Sequence, residues 1–194
     1  MNRLKIFLVV PLLGLVVAVG CKKKEEVVEP EPTAELAPTT VSATATLTGA
    51  PGDADFSGSV TFTDDGMGGV KIEAHFSGVD TPGLHGFHIH ETGDCSHDPA
   101  GGKHFSSAGG HFNPAGAEHA CPPTDPRHAG DLGNVTIGSD GSAHLEMTSN
   151  LIALSGANSV VGRAVILHAG EDDCKTQPTG NAGDRLACGV VQSQ

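Results

Sequence analysis

The chain has 194 residues, 38% of them hydrophobic, which suffices for one compact core with appendages and leaves no room for a second catalytic domain. Aromatics are only 4%, with no Trp or Tyr, and 27 residues are Gly, a composition that favours a β protein with many tight turns over a helical bundle. From Val41 onward 18 acidic residues stand against 6 basic ones, so that segment carries the whole formal charge of −12 and should be repelled by nucleic acid and by anionic lipid.

The N-terminus reads as a targeting segment. Asn2-Arg3-Leu4-Lys5 supplies positive charge, and Ile6 to Val19 is an uncharged apolar run of 14 residues broken by Pro11 and Gly14. A membrane-spanning helix needs about 20 apolar residues. The run ends in Ala18-Val19-Gly20-Cys21, which resembles a bacterial lipoprotein signal, with cleavage before Cys21 and lipid on that cysteine. An ordinary signal peptide or an uncleaved anchor is the alternative. Residues 21–40 are rich in Lys, Glu, Pro and Thr with little to bury, and are expected to form a disordered tether for a domain spanning 41–194. This places the domain in the cell envelope, on the periplasmic side, held to a membrane by lipid. Lys22 after Cys21 is compatible with the outer membrane.

In Val70-Lys71-Ile72-Glu73-Ala74-His75-Phe76-Ser77 the even positions are apolar and the odd ones polar, which predicts a strand with one face in a core and His75 pointing outward. Val60 and Phe62 give the same reading, as do Ala143, Leu145 and Met147 against His144 and Glu146. Further strands are expected at Ser42 to Thr48, Leu84 to His90, Leu132 to Ile137, Val160 to His168 and Ala187 to Gln192. Glycine-rich reversals separate them, for example Asp64-Asp65-Gly66-Met67-Gly68-Gly69. About eight short strands at this spacing predict an all-β antiparallel sandwich or barrel.

Glu91 to Asp131 and Ala169 to Leu186 do not alternate and are too long for hairpin loops, so chemistry is expected there. With Cys21 lipidated, Cys95, Cys121, Cys174 and Cys188 remain, an even number in an exported chain, with three pairings open.

His88 and His90 lie two apart in a strand, so both leave one face while Phe87 and Ile89 leave the other. Two imidazoles on a rigid strand make half a transition-metal site. The long loop adds His111, His119, His128 and Asp131, a nitrogen- and oxygen-rich set suited to zinc, and His168 is available to join the strand pair. Six histidines and one aspartate serve two metals if one imidazole is shared.

Four segments, Gly83-Leu84-His85-Gly86-Phe87-His88-Ile89-His90-Glu91, Ser107-Ala108-Gly109-Gly110-His111-Phe112-Asn113-Pro114, His128-Ala129-Gly130-Asp131-Leu132-Gly133-Asn134-Val135 and Gly180-Asn181-Ala182-Gly183-Asp184-Arg185-Leu186-Ala187-Cys188-Gly189, resemble the signatures of copper,zinc superoxide dismutases, in order and with compatible spacing. The resemblance implies an eight-stranded antiparallel Greek-key β-barrel or sandwich, immunoglobulin-like, with two long functional loops. It implies dismutation of superoxide, one copper held by His88, His90, His111 and His168, and one zinc held by His111, His119, His128 and Asp131. His111 is then the bridging imidazolate and proton carrier, Asp172 the carboxylate linking His88 with His119, and Arg185 the arginine that orients the anionic substrate. His85 takes a supporting role under the copper site, and His97 and His104 match no ligand and are expected to be solvated. A homodimer is compatible with the family.

The resemblance also pairs Cys95 with Cys188. Cys121 and Cys174 lie outside the common pattern, each two residues after His119 and Asp172 respectively, so an approach of Asp172 to His119 would bring the two thiols together. A metal-storage lipoprotein and a structural sandwich are the competing functions. The retained ligands and Arg185 favour the enzyme.

Overall fold

The structure is a computed structural model and describes residues 41–53, 55–97 and 103–194. The signal segment, Cys21 and the tether lie outside the described residues, as do positions 98–102 of the first long loop.

Among the described residues nine strands follow one another: β1 Ser42–Gly49, β2 Ser57–Asp64, β3 Val70–Ser77, β4 Gly83–His90, β5 Asp131–Ile137, β6 Ala143–Ser149, β7 Ala164–His168, β8 Arg185–Val190 and the short β9 Gln192–Ser193. No α-helix occurs among the described residues, only a 3-10 turn at Ser106–Ala108. All strand pairs are antiparallel, in the order β5-β4-β7-β8-β1-β2-β3-β6, with β9 beside β1. The outermost strands β5 and β6 approach each other, which nearly closes the barrel. The links from β3 to β4 and from β6 to β7 skip over intervening strands, and this is the Greek-key crossover.

Alternation places the core. In β3 Val70, Ile72, Ala74 and Phe76 are buried while the residues between them face outward. They meet Val60, Phe62, Leu47, Phe87, Ile89, Val165 and Leu167 in one apolar cluster, each large side chain contributing about 1.5–3 kcal/mol on burial. In β7, and in β4 from His85 onward, the burial is continuous, because a second layer covers their other face. Ala164 and Ile166 lie there with Phe105, Ala108, Ala50 and Cys188, under the first long loop. A sheet face normally left to water is thereby dry, and His88, His90 and His168 sit in the same layer.

Three points along the strands differ by more than a one-residue shift of an end from the sequence expectation. Residues 160–163 are not strand: Arg163 N donates to Val160 O at 3.0 Å and Gly162 has φ +82°, so a tight turn precedes β7. Arg185 and Leu186, expected in the second long loop, open β8, where Arg185 pairs with His168 across a register shift. The last strand breaks at Val191, whose amide turns to Arg163 O at 2.9 Å.

Phe62, fully buried, and Met67, 88% exposed, give a contrast. Phe62→Ala is expected to cost about 3–5 kcal/mol in urea unfolding and Met67→Ala less than about 0.5 kcal/mol. Equal losses would place the core wrongly.

Candidate metal centre

His88 and His90 leave β4 on the face opposite Phe87 and Ile89, as their parity requires, and His168 ends β7 with the parity of Ile166. The first long loop is stitched to β4 by backbone bonds from Glu91 N to Gly110 O, Phe112 N to Ile89 O and Ile89 N to Gly130 O, at 2.8–2.9 Å. Gly130 must be glycine for this approach, since a Cβ there would stand 2.2 Å from Ile89 O. His111 is thus delivered beside His90, and Phe112 plugs into the core under the Arg163 guanidinium, 3.6 Å from its ring centre.

Two four-residue clusters result, His88, His90, His111 and His168, and His111, His119, His128 and Asp131, each with one candidate ligand atom per residue within 4.8 Å of the others. All seven residues are buried, and His111 belongs to both clusters. Asp131 Oδ1 lies 2.7 Å from His111 Nδ1, 3.0 Å from His119 Nδ1 and 3.3 Å from His128 Nδ1.

The remote ring nitrogens are occupied. His88 Nε2 and His119 Nε2 donate to the two oxygens of Asp172, at 2.7 and 2.9 Å, His90 Nδ1 donates to Gly109 O at 2.9 Å, and His168 Nδ1 donates to Gly183 O at 3.4 Å. Holding the proton on the far nitrogen leaves a lone pair on the near one and fixes each ring plane. Burial, then the neighbouring His111, holds His88 and His90 well below the usual histidine range and pushes His168 down to about 3, so these rings are neutral, the form a metal ion requires of an imidazole. Burial lowers His111 as well, with Asp131 pulling the other way. For Asp131 burial opposes ionisation, but His111 and the Ala120 amide hold the carboxyl below its ordinary value.

The fit to metal shows in what lacks a partner. Among the described residues five buried side-chain nitrogens have no hydrogen bond, and four of them are His88 Nδ1, His111 Nε2, His119 Nδ1 and His128 Nδ1. Such groups cost about 1–3 kcal/mol each when unpaired, and convergent imidazole lone pairs are met by a transition-metal ion. The all-imidazole cluster suits copper, and the three imidazoles with one carboxylate suit zinc.

Arg185 donates to Phe105 O and Gly109 O at 2.5 and 2.6 Å and lines, with His168, an open cleft of about 200 Å³. Lys103, His104 and Asp184 stand on the same cleft. Lys103 was not singled out by sequence reasoning, and only its place just before Phe105 could have suggested it. His97 is exposed as expected, but His104 is half-buried with Nδ1 shielded, because Phe105 beside it is drawn into the outer apolar layer. His85 is buried under the centre, its ring nitrogens 2.7 Å from His168 O and 2.8 Å from Thr81 O.

Both disulfides form: Cys95–Cys188 and Cys121–Cys174. Two further residues hold the site and had no assigned role in the sequence. Asn134 clamps the Asp172 backbone on both sides, at 2.9 and 2.8 Å, and Gln177 does the same for His119, at 2.8 Å twice.

A sequence model described as copper/zinc superoxide dismutase (SODC) matches residues 56–191. Among solved structures, one titled "Crystal Structure Analysis of the clock protein EA4" is similar at 38% identity and a TM-score of 0.68, over 78% of this chain and 93% of that one.

At Gly180, φ is +67° and a Cβ would stand 1.9 Å from Asp172 Oδ1 and 2.6 Å from His119 Nε2. Gly180→Ala should displace that carboxylate and weaken zinc retention about 10–100-fold in chelator competition. Unchanged retention would show that Asp172 does not hold the rings.

Proposed function

The chain belongs to the copper/zinc superoxide dismutase family, and on that premise we propose the roles of its residues and the compartment it protects. The enzyme turns two superoxide anions and two protons into dioxygen and hydrogen peroxide, with copper and zinc as cofactors. The observation that carries the residue assignment is His111, one ring common to two buried clusters in which four ring nitrogens, its own Nε2 among them, have no hydrogen-bond partner.

In this reading His88, His90, His111 and His168 hold copper, and His111, His119, His128 and Asp131 hold zinc. When bound, copper supplies reversible one-electron chemistry and zinc a fixed, redox-inert positive charge. His111 takes and returns a proton at Nε2, while its Nδ1 side is fixed against Asp131, so the ring does not swing away. Asp172 keeps the protons of His88 and His119 on their far nitrogens. Arg185, tethered by two carbonyls, presents a positive charge at the cleft beside His168 and draws the anionic substrate there. Lys103 adds a second cation to the cleft, against the single carboxylate of Asp184, which offsets locally the repulsion of an acidic protein for an anion.

The protein works, in the same proposal, in the cell envelope, anchored through lipid on Cys21, and protects that compartment from superoxide. The N-terminal sequence supports this, as do two disulfides, which suit an oxidising compartment.

Metal-loaded protein should suppress superoxide-driven cytochrome c reduction, and His90→Ala should abolish the effect. Arg185→Ala should lower kcat/KM by about 10-fold or more and flatten its dependence on salt. An inactive, fully loaded wild type would favour metal storage instead. For the anchor, Cys21→Ser should move the protein from the membrane to the soluble fraction, and unchanged partitioning would refute lipidation at that position.

A further inference from the structure

A third group of ligating side chains stands on the outer face of the barrel, away from both long loops. β3 and β6 pair so that His75 lies opposite His144 and Glu73 opposite Glu146. Their inward neighbours Ile72, Ala74 and Phe76 are locked in the core, which fixes the Cα–Cβ directions of the outward ones. The two imidazoles stack with ring centres 4.4 Å apart and planes 8° from parallel. Both Nε2 atoms turn toward the same oxygen: Glu73 Oε1 is 3.1 Å from that of His75 and 3.7 Å from that of His144.

One hydrogen bond accounts for the Glu73 and His75 contact, but it leaves His144 Nε2 beyond hydrogen-bond reach of the same atom. A shared cation engages all three once one of these exposed rings turns about its Cβ–Cγ bond, because the in-plane lone pairs of two stacked, parallel rings run side by side as they stand. A tetrahedral ion with bonds of about 2.0–2.1 Å separates its ligands by about 3.3 Å, and the observed distances bracket that value. The charge is also suitable, since Glu73 and Glu146 face the single cation Lys71, which sits 3.2 Å from Glu146 and 3.7 Å from Glu73. Two imidazoles select a borderline transition metal over magnesium or calcium.

We propose that Glu73, His75 and His144 form a third divalent-metal site, for Zn²⁺ or Cu²⁺, with water completing the coordination. Their side chains are 38%, 56% and 52% exposed, so the ion exchanges with solvent and binds more weakly than in the buried centre. The sequence had placed His75 and His144 on the solvent face with no further part to play. Cross-strand register, which periodicity alone does not supply, is what brings them together.

The test uses full-length holoenzyme with both buried positions filled, dialysed against micromolar Zn²⁺. Elemental analysis should find one additional zinc per chain, absent in the His75→Ala/His144→Ala double variant, with Glu73→Gln intermediate. Dismutase activity and copper content of the variants should match wild type, which also reports on folding. Equal zinc uptake by wild type and double variant would overturn the proposal. In wild type, sub-stoichiometric Cu²⁺ should broaden the ring resonances of His75 and His144 first, and broadening that begins at other histidines would overturn it as well.

Discussion

One carboxylate holds the two halves of the metal centre in register. Asp172 is 1% exposed, and its two oxygens accept from His88 and His119, one ring from each cluster. A buried carboxylate in an apolar setting costs several kcal/mol unless its lone pairs are met, and here they are met by two imidazole N–H groups and the Cys174 amide. The price of that arrangement is a crowd of supporting contacts. Asn134 fixes the backbone of Asp172, Gln177 fixes that of His119, Gly180 leaves room for the carboxylate, and Cys121–Cys174 joins the two segments that must approach.

The same logic extends to the sheet that carries the ligands. β4 and β7 bury both faces, one against the barrel core and one against the loop layer around Phe105 and Ile166. Excluding water from the second face holds His88, His90 and His168 in their neutral form and gathers their near nitrogens in one dry cluster. Cys95–Cys188 ties that layer to β8, while Arg163 stacks on Phe112 and donates to Glu91 O at 2.7 Å. Arg185 and Lys103 line the open cleft beside His168.

Much of this was legible in the chain. Strict alternation in β3 gave its limits and its buried face, and the parity of His88 and His90 against Phe87 and Ile89 gave the side on which the centre lies. The pairing of Cys121 with Cys174 followed once Asp172 was placed near His119. What escaped was set by contacts between distant segments. Asn134 and Asp172 are 38 residues apart and Gln177 and His119 are 58 apart, and nothing local marks an amide that will clamp a backbone. The apolar run before His168 looked like one long strand because Val160 and Val161 suit a sheet, but Gly162 turns the chain there. His104 was drawn inward by its neighbour Phe105, an effect of the loop layer and not of its own polarity.

β1 pairs with β2 next to it in sequence, yet its far end pairs with β8, and Cys188 of β8 is bonded to Cys95, 93 residues earlier. A chain delivered from its N-terminus must therefore hold β1 to β4 with one seam open until β8 arrives. Non-local pairing of this kind makes folding slow. The covalent tie between β8 and the loop that carries His111 can close only at that late step. Before it closes, what fastens the loop to the sheet is its set of non-covalent bonds to β4.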